Sequence, residues 1–277
     1  MSVSSNNFDV FYYSNVCFGY DEFKKSKGQK LAPKVKNMID ELNLTSDMNI
    51  LEIGCGRGDA SIYIARKVNS VAGIDYSKEA IKIANNIKKL TNDKIKNKVS
   101  FYVMQANKLE FKDNLFDMVI VIDTLDHLNK KEVNQTFSHI LRILKPNGSI
   151  FIKTCANKVL LDITYRYYIL PINRILTMID KKIKGISYES LPNSSRTIEA
   201  KKQHVNEADY FYLKSLFTKF KLSGKIWGET GFLTQDKGIR SKLYNFIVTL
   251  NPLSKYYPFN IFFAHSFFAK LHKNNPI

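Results

Sequence analysis

Glu52-x-Gly54-x-Gly56-x-Gly58 follows a short apolar run, and Asp75 closes the next such run. Glycine costs backbone entropy, so three within five positions imply a tight turn or the close approach of a ligand to the main chain. Glycines behind the first strand of a parallel α/β sheet set a ligand at the carboxyl ends of the strands, over a helix N-terminus. The spacing differs from the G-x-G-x-x-G dinucleotide fingerprint. A carboxylate two positions before the first glycine repels a pyrophosphate but suits a ligand with an amino group. Asp75, about 20 residues on, stands where a carboxylate takes both hydroxyls of a ribose.

These residues need a frame. The stretch 31–43 carries Leu31, Val35, Met38, Ile39 and Leu42 at helical spacing. "NILEIG" and "SVAGID" read as buried strands, "DASIYIARKV" and "SKEAIKIANNIKKL" as helices, the latter capped by Ser77. "VSFYVM" and "FDMVIVID" are the third and fourth strands. The helix around "EVNQTFSHILRIL" opens with an Asn129–Glu132 capping box, and the turn "KPNG" introduces a fifth strand, "GSIFIKT". Strand and helix alternate to residue 155, with strands apolar on both faces. That pattern predicts an α/β, doubly wound, mostly parallel sheet. Beyond it, 157–200 holds a helical stripe of Ile172, Ile175, Leu176, Ile179 and Ile183 opened by Pro171. "EADYFYLKSLFTKF" is a further helix with Asn206 as its N-cap, "KLSGKIWG" a strand, and "FNIFFAHSFFAKL" a long last strand. The expected divisions are an N-terminal helical lid segment (1–45), a ligand-binding core (46–156), a helical cap after the fifth strand (157–203) and the remainder of the core (204–277).

A ligand with a ribose, a positive charge and no diphosphate fits S-adenosylmethionine (SAM). "ILEIGCGRGD", "VAGIDYS", "FDMVIVIDTLDHL" and "LRILKPNGSIFIKT" resemble, in order and spacing, the successive motifs of class I SAM-dependent methyltransferases across residues 49–155. The resemblance implies a seven-stranded Rossmann-like sheet and a set of cofactor contacts. Gly54, Cys55 and Gly56 line the methionine end, with Gly58 in the same turn and Glu52 beneath it. Asp75 holds the ribose hydroxyls and Tyr76 lies against the adenine. Ala106 and Asn107 stand where the family has a small residue followed by an aspartate reading the adenine amino group; the asparagine oxygen can still accept that hydrogen bond. Asp123 and Thr124 flank the methionine moiety. "SNVCFGYDEF" resembles a segment whose tyrosine, here Tyr20, folds over the sulfonium in methyltransferases of small molecules. The region of His127 resembles phosphoethanolamine methyltransferases, in which a histidine works with an N-terminal tyrosine, so Tyr20 and His127 form the candidate catalytic dyad. His204 is a lesser candidate facing the acceptor, while His139, His265 and His272 read as structural.

Methyl transfer is an in-line displacement in which the protein aligns the nucleophile and takes its proton. The expected activity is transfer to a small-molecule or lipid-like acceptor, at nitrogen, oxygen or carbon. A net charge of +17 favours anionic partners, an anionic membrane surface beside the basic helix of 171–184 among them. It also raises a nucleic-acid methyltransferase as an alternative. Against that stand "IDTLDHL" in place of a proline-aromatic motif after the fourth strand, and the lack of a Pro-Cys nucleophile. A non-catalytic SAM-binding scaffold is the other alternative, opposed by the intact Glu52, glycine turn and Asp75. Cys17, Cys55 and Cys155 are dispersed and odd in number. They predict no disulfide framework, no metal site and a reducing cytoplasm. No signal peptide or membrane span is read.

Overall fold

The computed structural model describes residues 25–26, 30–155, 157–185, 192–229 and 239–274. Among them, helix α1 (Pro33–Asp40) leads into strand β1 (Asn49–Ile53), helix α2 (Asp59–Ile64), β2 (Ser70–Asp75), α3 (Lys78–Lys89) and β3 (Val99–Val103). Then come β4 (Phe116–Ile122), α4 (Lys130–Ile143) and β5 (Leu144–Cys155). A π-helical stretch (Leu160–Ile169) runs directly into α5 (Leu170–Lys184), followed by α6 (Ile198–Gln203) and α7 (Tyr210–Lys219). Strand β6 (Leu222–Glu229), α8 (Ile239–Thr249), α9 (Phe259–Phe263) and β7 (Ser266–Lys273) complete the chain.

The strands form one seven-stranded sheet in the order β3-β2-β1-β4-β5-β7-β6. All neighbours are parallel except β7, which runs antiparallel between β5 and β6. Successive strand residues point to opposite faces, and both faces are covered. Leu51, Ile53, Val119 and Val121 pack toward α4 and α7 on one side, with Phe137, Ile140 and Phe217. Ile50, Met118 and Ile120 pack on the other side with Ile62, Ile64 and Ile81. Two of the local signals hold at helix starts. Ser77 Oγ accepts from Ala80 N, and Asn129 and Glu132 complete their reciprocal capping box, a device of roughly 1 kcal/mol.

Four expectations are corrected. The last apolar run is not one strand: 259–263 is helical, and the strand begins at Ser266. Phe259 and Phe262 are exposed while Asn260, Ile261 and Phe263 are buried, which is helical spacing behind Pro258. The helix after residue 206 is capped by Asp209, which accepts from Tyr212 N at 2.8 Å. Asn206 is buried instead and donates to Leu125 O and Tyr212 Oη. The "KPNG" segment is drawn into β5, where the register shifts so that Leu144 faces Phe116 and Ser149 faces Met118. Finally, α2 stops at Ile64, short of the expected "ARKV".

Candidate active site

The β1–α2 turn shows why this chain carries glycine there. Gly54, Gly56 and Gly58 have φ of 73°, 52° and 83°, the left-handed region that other residues enter at a cost. A Cβ on Gly54 would lie 2.0 Å from Thr124 Oγ1. The turn is tied to the end of β2: Gly54 N and Cys55 N donate to Ile74 O at 2.8 and 2.9 Å. Gly56 N donates to Asp75 Oδ2 and Ser77 N to Asp75 Oδ1, each at 2.9 Å. Asp75 therefore fixes two consecutive loops.

These loops open onto a cleft of about 550 Å³ at the carboxyl ends of the parallel strands. Glu52, Gly54, Cys55 and Gly56 line it from β1 and its turn, and Asp75 and Tyr76 from the end of β2. Ala106 and Asn107 enter after β3, and Asp123, Thr124 and His127 after β4. Gly58 is not among the lining residues. A Cβ there would meet Phe101 Cζ at 2.6 Å and Ala84 Cβ at 3.0 Å, so it serves helix–sheet packing. Tyr20 lies outside the described residues. No described residue of 157–203 lines the cleft; that segment reaches it through Gln203, whose carbonyl lies 3.0 Å from His127 Nδ1.

Electrostatics are set by burial. The Glu52 carboxyl is pushed up to about 8, first by desolvation and further by the nearby Asp59 and Asp75, against a hydrogen bond donated by Ser61 Oγ. Burial also raises Asp75, opposed by the backbone donors of Ser77 and Gly56, and it raises the Tyr76 phenol. Burial pushes the Cys55 thiol well up, which removes it as a nucleophile at neutral pH. Asn107 donates its amide to Gln135 Oε1 at 3.1 Å, leaving the carbonyl oxygen as the acceptor. Asp123, at φ 47°, is ion-paired through Oδ2 to Lys153, while its buried Oδ1 has no hydrogen-bond partner. With Gln203 O accepting from Nδ1–H, the neutral His127 ring carries its lone pair on Nε2.

Sequence reasoning missed Leu31 and Ala32, just before α1, and Val35 within it, which wall the cleft, and the Arg57–Asp59 pair at 2.8 Å. Apolar spacing revealed the helix, but periodicity does not say which cavity it borders. It also missed that Asp126, Cys155 and His204 converge, since they sit in three separate segments.

The fit to a cofactor of the expected kind can be tested on these residues. A buried carboxyl whose hydrogen-bond partner is a neutral hydroxyl suits an incoming ammonium. The Gly54–Gly56 turn presents bare backbone to the cleft, and an acidic residue ends β2. All three lie in one cleft, so the residues fit SAM.

The sequence model of a family described as "Methyltransferase domain" matches residues 44–206. Norajmaline N-methyltransferase of Rauvolfia serpentina is 34% identical over 111 residues, 40% of this chain and 37% of that protein. The chain thus spans well under half the length of that relative. Phosphoethanolamine N-methyltransferase of Plasmodium falciparum is 25% identical over 214 residues, covering 75% of this chain and 77% of that one. A structure of Haemonchus contortus phosphoethanolamine N-methyltransferase 2, in complex with phosphomonomethylethanolamine and S-adenosylhomocysteine, superposes with a TM-score of 0.56 at 17% identity. It covers 87% of this chain and 52% of that one. At that identity the likeness speaks for the fold.

Proposed function

The chain belongs to the methyltransferase-domain family, and from that premise we propose that it is a SAM-dependent methyltransferase acting on a small-molecule or lipid-like acceptor. The observation that carries the reading is the convergence of Glu52, the Gly54–Gly56 turn and Asp75 on one cleft. When bound, SAM supplies an electrophilic sulfonium methyl. Glu52 receives the ligand ammonium, Asp75 takes the ribose hydroxyls, and Tyr76 and Asn107 hold the adenine. Asp123 and Thr124 border the methionine portion. His127 Nε2, left as an acceptor by the Nδ1–Gln203 contact, takes the proton from the acceptor's nucleophile. Tyr20 is the proposed second member of this dyad.

Relatives acting on phosphoethanolamine and an alkaloid support a small acceptor over nucleic acid. Gln203, at the end of the 157–203 segment, meets His127 Nδ1 and so borders the acceptor side. The test is transfer of labelled methyl from SAM into a panel of phosphobases, sterols, alkaloids and quinols. Incorporation into one class that is lost in Asp75→Ala supports the reading; incorporation only into RNA overturns it.

A second reading concerns location. On α5, Ile175, Met178, Ile179 and Ile183 are exposed, Met178 and Ile183 by more than 70%. Lys181 and Lys182 stand beside them. No helix among the described residues is long and apolar enough to cross a membrane. We infer that this face lies on an anionic lipid surface of the cytoplasmic side, with the apolar stripe inserted and the lysines at the headgroups.

A further inference from the structure

Behind His127, three segments bring a thiol, an imidazole and a carboxylate together. Asp126 sits after β4 and is fully buried, Cys155 ends β5, and His204 precedes α7. We propose that Asp126, Cys155 and His204 bind a divalent metal ion of the zinc type.

The geometry suits it. Cys155 Sγ and His204 Nε2 lie 3.6 and 3.3 Å from the same oxygen, Asp126 Oδ2, and the three donor atoms are all within 4.8 Å of one another. Zinc bonds to sulfur, nitrogen and oxygen put neighbouring ligands of a tetrahedron about 3.3–3.6 Å apart. The donor set of one thiolate, one imidazole and one carboxylate is that of a borderline-soft ion such as zinc. Three protein ligands leave a fourth position open.

A second observation points to a cation. Asp126 Oδ1 is buried with no hydrogen-bond partner. The charged groups recorded beside this carboxylate are the imidazoles of His127 and His204, which are cationic only when protonated. A buried carboxylate needs a counter-charge, and an orphan oxygen in a polar cluster calls for an ion or a water. A divalent ion supplies the charge and a ligand for Oδ1 together. His204 is 19% exposed, which leaves a route in from solvent.

The experiment is cobalt titration of the untagged full chain after chelator dialysis, followed by displacement with zinc. The expected result is one cobalt per chain, with a sulfur-to-cobalt charge-transfer band and intense visible bands of tetrahedral geometry. Cys155→Ser should remove the charge-transfer band. His204→Ala should weaken binding by more than the roughly 10- to 100-fold that follows loss of a ligand's supporting hydrogen bond. Calorimetry with S-adenosylhomocysteine on the same samples reports folding and judges the cofactor reading separately. Octahedral cobalt without a thiolate band in the wild type, substoichiometric binding, or equal affinity in wild type and both variants would overturn the site.

Discussion

Glu52 offers a pH-dependent test of the cofactor site. Its carboxyl is held at about 8 by burial, so near neutrality it is mostly protonated. An ammonium bound beside it favours the ionised form, so cofactor binding should expel one proton from Glu52 in this range. Apparent affinity should then rise with pH by close to tenfold per unit below 8, or roughly 20- to 50-fold from pH 6 to 8. Above that, the ligand's own amino group, near 7.7–8.0 for an α-amine, loses its charge and the gain stops. Calorimetry of SAM binding in buffers of different ionisation enthalpy reads both the affinity and the proton release. Glu52→Gln should flatten the profile and abolish the release. The same linkage acts on stability with the opposite sense. The folded value lies above the ordinary 4.5, so this contribution is full below about 4.5 and is lost as pH rises through about 8. The loss amounts to an order of a few kcal/mol, and the Gln variant escapes it. Affinity independent of pH from 6 to 8, with no proton released by the wild type, would refute the pairing of Glu52 with the ligand ammonium.

Gly54→Ala combines a left-handed φ with a Cβ 2.0 Å from Thr124 Oγ1. It should cost about 1–3 kcal/mol in chemical denaturation and weaken cofactor binding more than Gly58→Ala does at equal stability loss. Gly58 packs against Phe101 and Ala84 rather than lining the cleft. Once an acceptor is known, His127→Ala should lower single-turnover rate by about 10²- to 10⁴-fold with cofactor affinity unchanged; a loss under tenfold would mean the proton leaves to water. Flotation with vesicles containing acidic lipid should carry the wild type. A Met178→Glu/Ile183→Glu variant should stay behind with its melting temperature unchanged, because both side chains are exposed.

What the sequence disclosed was local. Two-faced apolar strands, the glycine turn and the caps at Ser77 and Asn129 are written in neighbouring residues, and the structure keeps them. The candidate cofactor residues were legible because each lies at or just beyond the carboxyl end of a strand, and a parallel sheet brings those ends to one edge. What remained hidden depends on distant segments meeting. The Asp123–Lys153 pair, the wall formed by Leu31 and Val35, and the convergence on Asp126 have no spacing signature. The stretch 259–273 misled for another reason. An apolar run reads alike as buried helix or central strand, and here it contains one of each.

The central claim is that the cleft between Glu52 and Asp75 is a SAM site. Calorimetric titration of the full chain with SAM, S-adenosylhomocysteine and NAD tests it most directly. The account predicts one site per chain with micromolar affinity for the first two, about −7 to −8 kcal/mol, and no heat with NAD. Asp75→Ala should weaken binding by roughly 1.5–3 kcal/mol, the loss expected for charge-assisted hydrogen bonds. Preference for NAD, or SAM affinity equal in wild type and Asp75→Ala, would contradict the account.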